Sequence, residues 1–248
     1  SDILAGIVAT GLYKKESYTA LIDLGTNGEI AVGNKNQILC ASTAAGPAFE
    51  GSNISMGMRA QSGAISSLSL KDGYIVAHVI GNTPPKGICG SALIDAIAIL
   101  RKLGLIGMFG EINSGEENII IFGDVKLSQK DINEFLLAKA AIAAGLAILL
   151  KNLNIGFSDL TELYIAGGFG SFITLENLIA TGIIELPEEK IHKIGNTALI
   201  GAKMFLFKEN TNTGEILQKI KHISLERDDG FQDMYVERMM LPHKNHEL

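Results

Sequence analysis

With 248 residues, 47% of them hydrophobic and 19% charged, the chain is long enough for one large or two small cored domains and too apolar to be disordered. A net charge of −6 argues against a nucleic-acid surface, and two cysteines, Cys40 and Cys89, are too few for a disulfide framework and fit a reducing, cytoplasmic setting. The most apolar run, Ala140 to Leu150 between Lys139 and Lys151, is too short to span a bilayer, so no membrane is expected.

Taken in order, Ser1-Asp2 followed by Ile3, Leu4, Ile7, Val8 and Leu12 predicts a capped amphipathic helix, closed by Gly11 and Lys14-Lys15. The absence of a methionine at Ser1 reads as a fragment or a processed form, and no signal peptide is visible. A strand pair over 19–33 follows: an apolar run reaches Asp23, turns through Gly25-Thr26-Asn27-Gly28 and resumes after Glu29. Asn27-Gly28 is the strongest short signal for a two-residue hairpin, since a type I′ turn needs positive φ at both central residues. The same stretch also reads as a phosphate hairpin. Asp23 ends a buried strand, where an unpaired charge is expensive. Gly25 admits close backbone approach, and the Thr26 hydroxyl with the following amides forms a donor cluster suited to phosphate. A carboxylate beside such donors can hold Mg²⁺ through the waters that this ion keeps.

A third strand, Gln37 to Thr43, follows the Asn34-Lys35-Asn36 turn and completes a meander. Residues 44–59, rich in glycine and small side chains, form a long loop, either functional or an ordered surface excursion. Strands near 63–69 and 74–80 are expected to continue the sheet. Pro84 to Ser91 leads into a helix carrying Leu93, Ile94, Ile97, Leu100 and Leu103, and its glycines with Ser91 suit either an anion or a simple cap. Residues 110–127 read as a polar loop enclosing one strand, Ile119 to Phe122.

The longest helix is predicted from Ser128 to about Leu153, with Lys139 near the middle of its apolar arc. A lysine there either snorkels to the outside or reaches a bound polyanion. Gly145 costs about 1 kcal/mol relative to alanine, which points to close backbone packing. Leu160 to Ala166 is a strand ending in Gly167-Gly168-Phe169-Gly170. A helix from Thr174, a turn at Pro187, a helix capped by Asn196-Thr197, a strand at 221–225 and a short helix from Phe231 to Met239 complete the chain. No internal repeat or linker divides it.

A meander with a phosphate hairpin, then helices, then strand-Gly-Gly-x-Gly-helix, resembles one half of the actin-like nucleotide fold. The fold class implied is α/β and ribonuclease H-like, a mixed sheet with a strand meander flanked by helices. Proteins of that superfamily clamp ATP between two related halves. The phrases Leu-Ile-Asp-Leu-Gly-Thr-Asn-Gly-Glu, Cys-Ala-Ser-Thr-Ala-Ala-Gly-Pro-Ala-Phe-Glu-Gly, Gly-Ile-Cys-Gly-Ser, Ala-Lys-Ala-Ala-Ile, Ala-Gly-Gly-Phe-Gly and Ile-Gly-Asn-Thr-Ala-Leu-Ile-Gly-Ala run in that order. In series they are similar to the reductive activators of corrinoid proteins.

That resemblance implies an N-terminal [2Fe-2S] ferredoxin-like domain and a C-terminal actin-like ATPase (ASKHA) part, which couples ATP to reduction of Co(II) corrinoid to Co(I). Here the cluster-binding cysteines are missing, and one Asp-x-Gly-Thr hairpin occurs where the family has two. The chain is therefore expected to be the distal half of the ATPase region, with 1–15 a crossing helix and 16–248 the nucleotide-binding subdomain. Asp23 would hold Mg²⁺ through water, as the one catalytic residue, and Gly25, Thr26, Asn27 and Gly28 would contact the terminal phosphates. Gly167, Gly168, Phe169 and Gly170 would floor the adenosine, and Lys139 would line its pocket. The implied partners are a corrinoid protein, the upstream half of the same activator and a second copy in a homodimer, with no nucleic acid.

Three other readings compete. Iron-sulfur activators of acyl-CoA dehydratases share actin-like halves, and Cys40 and Cys89 could be cast as their cluster ligands. A sugar or acid kinase lacks a candidate base here. A non-redox actin-like assembly module would bind nucleotide without electron transfer.

Overall fold

The computed structural model of the protein describes residues 2–25, 27–167, 172–207 and 213–242. Helix α1 (Asp2–Thr10) ends where Gly11 adopts φ 67°, a left-handed conformation that glycine takes without a Cβ penalty. Strands β1 (Thr19–Leu24), β2 (Gly28–Gly33) and β3 (Ile38–Thr43) form the expected antiparallel meander. β1 is buried along almost its whole length instead of alternating, the mark of a strand covered on both faces.

Beyond β3 the chain leaves this sheet. Strands β4 (Ala64–Lys71), β5 (Tyr74–Val79) and β6 (Gly87–Ile88) build a separate three-stranded sheet, ordered β5-β4-β6. The expectation that they continue the meander is corrected. β5 alternates between exposed and half-buried residues, so one of its faces meets solvent and cannot lie in the doubly covered sheet. Helix α2 (Gly90–Leu103) is buried on every side from Gly90 to Leu100 and stops at Gly104, φ 73°. The polar stretch 110–127 holds two strands where one was expected. β7 (Asn118–Phe122) and β8 (Val125–Ser128) pair antiparallel, and Val125 and Leu127 are buried on the second strand.

Helix α3 (Gln129–Asn152) starts as predicted, in a capping box. The Ser128 hydroxyl accepts from Asp131 N–H at 3.2 Å, and Asp131 Oδ2 accepts from Ser128 N–H at 2.8 Å. α3 is long and apolar enough to cross a membrane by length and composition, which the run 140–150 alone did not suggest; 83% of that apolar window is buried inside the molecule. Gly145 is where α3 meets the meander. A Cβ there would lie 2.6 Å from Thr43 Cγ2 and 2.9 Å from Ile30 Cδ1, so the close packing expected of it is present.

The chain then returns to the central sheet. β9 (Glu162–Ala166) runs parallel to β1, and α4 (Leu175–Ala180) follows. β10 (Ile191–Gly195), which no sequence signal announced, lies parallel beside β9. Helices α5 (Thr197–Phe207) and α6 (Thr213–Lys219) precede β11 (Ile220–His222), which pairs parallel with β3. The six strands are ordered β10-β9-β1-β2-β3-β11, and α7 (Phe231–Glu237) packs on α3.

Two cores flank this sheet. One gathers Ile22, Ile30, Phe135, Ile142 and Leu146 with the inserted segment that runs from β4 to β8; the other gathers Ile7, Val8, Leu21, Ala31, Ile38 and Ala166. α1 crosses α5 through small residues: a Cβ on Gly201 would run into the backbone carbonyl of Ala5, and one on Gly6 would lie 3.2 Å from Thr197 Oγ1. The residues assigned to a crossing helix are thus built into one core with the sheet.

Candidate functional site

The hairpin between β1 and β2 differs from the two-residue turn read at Asn27-Gly28. Leu24 pairs with Gly28 and Asp23 with Glu29, so the loop consists of residues 25–27. Gly28 belongs to the strand. A Cβ there would lie 2.7 Å from Thr43 Oγ1 and 3.0 Å from Ile142 Cγ1, and Thr43 Oγ1 donates to its carbonyl at 3.2 Å. Its glycine serves close packing across the sheet instead of a positive φ. Gly25 N–H donates to Asn27 C=O at 3.3 Å, which curls the loop back on itself.

The parallel pairing of β9 with β1 sets Ala166 beside Asp23 and brings Gly167 to the hairpin. Gly167 has φ 95°, and a Cβ on it would meet Leu24 C=O at 2.6 Å and Asp23 Oδ1 at 2.8 Å. Only glycine tolerates that approach. Gly167 N–H donates to Gly195 C=O at 3.0 Å, which ties the junction to the end of β10. Two motifs separated by more than half the chain therefore share one edge. Thr26, Gly168, Phe169 and Gly170, the other expected members of the site, lie outside the described residues.

Glu29 is a residue that local sequence reading missed. Once the loop is three residues long it stands directly across from Asp23. Burial, followed by the charge of Asp2, pushes the Asp23 carboxyl above its usual range. Burial, followed by Asp23 and Asp2, does the same to Glu29, with its own backbone N–H pulling the other way. Neither carboxylate is in a salt bridge among the described residues. Hard oxygen donors repelling one another at a strand end fit a divalent cation such as Mg²⁺. Among the described residues no group of three His, Cys, Asp or Glu side chains forms a metal cage, so an ion there would rely on water and a ligand for its other positions.

Lys139 has a partner that the arc on α3 did not foretell. Its ammonium donates to the Met240 carbonyl and is 1% exposed, so it does not snorkel. Burial, and then the charge of Arg238, lower its pKa to about 7. The segment over it is pinned by Leu241 N–H to Met108 C=O at 2.8 Å, by Arg101 Nε to Pro242 C=O at 3.3 Å and by the Arg238–Glu185 ion pair.

Both cysteines are interior. Cys40 lies in β3 with its thiol pushed by burial to about 12, and Cys89, before α2, is also raised by burial. Two buried cysteines in separate elements do not supply the four ligands of a [2Fe-2S] cluster, and each sits in the interior as a small apolar side chain. The loop 44–59 turns Ala45, Ala48, Phe49 and Ile54 inward, and Asp131 accepts from Ser55 N–H at 2.7 Å and from its hydroxyl at 2.5 Å. The start of α2 is used structurally: Ser91 Oγ donates to Ser66 C=O at 2.7 Å.

A mixed sheet whose β1–β2 hairpin follows Asp23 and meets the strand end at Gly167 is that of an actin-like domain of the ASKHA type. The chain belongs to the family described as the C-terminal domain of RACo, the ASKHA domain, which matches residues 17–248. It is similar to the corrinoid activation enzyme RamQ of Eubacterium limosum, 38% identical over 94% of this chain and 44% of that protein. It is also similar to the [Co(II) methylated amine-specific corrinoid protein] reductase of Methanosarcina barkeri, 29% identical over 95% of this chain and 48% of that protein. Among solved structures it resembles a reductive activator for corrinoid, iron-sulfur protein: TM-score 0.86, 34% identity, 98% of this chain and 43% of that one. The chain thus spans less than half the length of each of these relatives.

Proposed function

We propose that this chain is the distal, nucleotide-binding half of an ATP-dependent activator that reduces Co(II) in a corrinoid protein to Co(I). The observation that carries the reading is the contact of Gly167 with Asp23, which sets a glycine strand end against a carboxylate hairpin. Asp23 would hold Mg²⁺ through water, while Gly25, Thr26, Asn27 and Gly28 would offer backbone and hydroxyl donors to the terminal phosphates. Gly167 with Gly168, Phe169 and Gly170 would floor the adenosine.

When bound, ATP supplies the free energy that an uphill one-electron reduction needs. The chain's own contribution is positioning and charge, which dominate phosphoryl transfer. Lys139 enters the set by resemblance alone. Its ammonium reaches a nucleotide only if Met240 moves away, and the role supported for it here is to anchor residues 238–242.

Electrons would come from a [2Fe-2S] domain elsewhere in the full protein, since Cys40 and Cys89 are two thiols where such a cluster takes four. The corrinoid protein, the upstream half and a second copy are the proposed partners. The test is Asp23→Ala in the full-length protein, with Mg²⁺-ATP affinity and Co(I) formation measured together. A loss of both at unchanged thermal stability is expected, and unaltered ATP turnover would remove Asp23 from the site.

A further inference from the structure

Asp95 is a buried charge that the proposed site does not use. It lies in α2 and is 0% exposed. Its Oδ2 accepts from Leu68 N–H of β4 at 2.9 Å, and its Oδ1 accepts from Asn177 Nδ2 of α4 at 2.7 Å. The Thr174 hydroxyl is a third partner. Thr174 sits at the N-cap of α4 but makes no side-chain cap bond to its own helix. One carboxylate thus joins three elements. Two of them, α2 and β4, belong to the inserted segment; the third, α4, follows the glycine stretch that begins at Gly167.

A buried carboxylate is poor evidence of stabilisation, because well-packed apolar residues of similar size usually do as well or better. What it adds is directional hydrogen bonding that admits one arrangement of α4 against the insert. We propose that Asp95 is a positioning residue for nucleotide binding, a latch that fixes the insert to the first turn of α4, the helix that follows the strand end at Gly167. This rests on the nucleotide reading given above. Asp95 touches no ligand; it acts through Asn177 and Thr174.

The pairing can be exchanged without loss. Asp95→Asn leaves an acceptor for Leu68 N–H, and its amide donor is met by Asn177 once that amide turns its oxygen round, so the charged bond becomes a neutral one. Adding Asn177→Asp gives the carboxylate to position 177 and the donor to position 95, so the bond is remade in reverse. The experiment measures affinity of the full-length protein for a non-hydrolysable ATP analogue with Mg²⁺, alongside urea unfolding, for wild type, Asp95→Asn, Asn177→Ala and the exchanged pair. Asn177→Ala should weaken binding roughly tenfold or more, the usual scale of coupling between linked sites, and Asp95→Asn less, because the turned Asn177 amide still answers it. The exchanged pair should recover to within about threefold, with a coupling that neither single variant predicts.

If wild type and Asn177→Ala bind equally well while only the unfolding midpoint of the variant falls, Asp95 is structural and the latch is refuted. If Asp95→Asn does not fold, Asn177→Ala decides alone, since it removes the bond from the less buried side. Failure of wild type itself to bind the analogue would overturn the nucleotide reading, and the latch with it.

Discussion

Lys139 is an ammonium held where water cannot reach it, bonded to one carbonyl and facing the charge of Arg238. Its pKa in the fold, about 7, lies below the ordinary 10.5. Between those values the unfolded chain binds a proton that the folded chain does not, so stability rises with pH from about 7 and levels off near 10.5. Below about 7 both states are protonated and the full penalty of the buried charge is present. Lys139→Met should therefore raise stability at pH 6 and flatten the slope between pH 7 and 10, even after the loss of about 1 kcal/mol for the bond to Met240. Urea midpoints across that range check this. An undiminished slope would mean that another group titrates there. If Lys139 also contacts nucleotide, the same variant lowers ATP affinity, and unchanged affinity leaves it with the anchoring role only. The partner of Lys139 was not legible because it lies 101 residues away and is a backbone carbonyl, which no side-chain pattern reports.

Among the elements, the meander, α3 from Ser128 and the strand ending at Gly167 were readable because their signals are local: apolar runs, a long apolar arc, a glycine pair. The signals failed where a residue's reason is a neighbour in space. Gly28 looks like a turn residue and is a packing residue against Thr43 and Ile142. β10 is a short strand with His192 and Lys193 in its middle, and it is held by pairing with β9 instead of by its own propensity. The crossing of α1 over α5 has the same character. Gly201 lies in a helix with no turn to make, yet the Ala5 carbonyl occupies the space that a side chain would need. Gly201→Ala should gain about 1 kcal/mol in helix propensity. It should lose about 1–3 kcal/mol through overpacking against backbone. A net destabilisation is expected in urea unfolding, with the crossing loosened first in hydrogen exchange of α1. A stabilised variant would show that the two helices can slide apart at little cost.

For the whole molecule, the proposed activator couples two ligands, and linkage makes the coupling reciprocal. If the corrinoid protein prefers one nucleotide state, the nucleotide must prefer the partner-bound state by the same factor. Corrinoid-protein affinity of the full-length protein, measured without nucleotide, with ADP and with a non-hydrolysable ATP analogue, should differ between states. Equal affinities together with ATP-independent Co(I) formation would leave only a nucleotide-binding actin-like domain. The parallel contact of β1 with β9 also has a bearing on how the chain is made. During synthesis the hairpin leaves the ribosome before the strand that completes its edge, which follows only after the whole insert and α3. Until then Thr19–Leu24, buried along almost its whole length in the finished fold, presents an unpaired strand edge of the kind that invites association with other chains. Parallel pairing over such a separation forms slowly. The vulnerable species is therefore the nascent chain before residue 162, and whatever shields that edge in the cell acts on a molecule that has no assembled site.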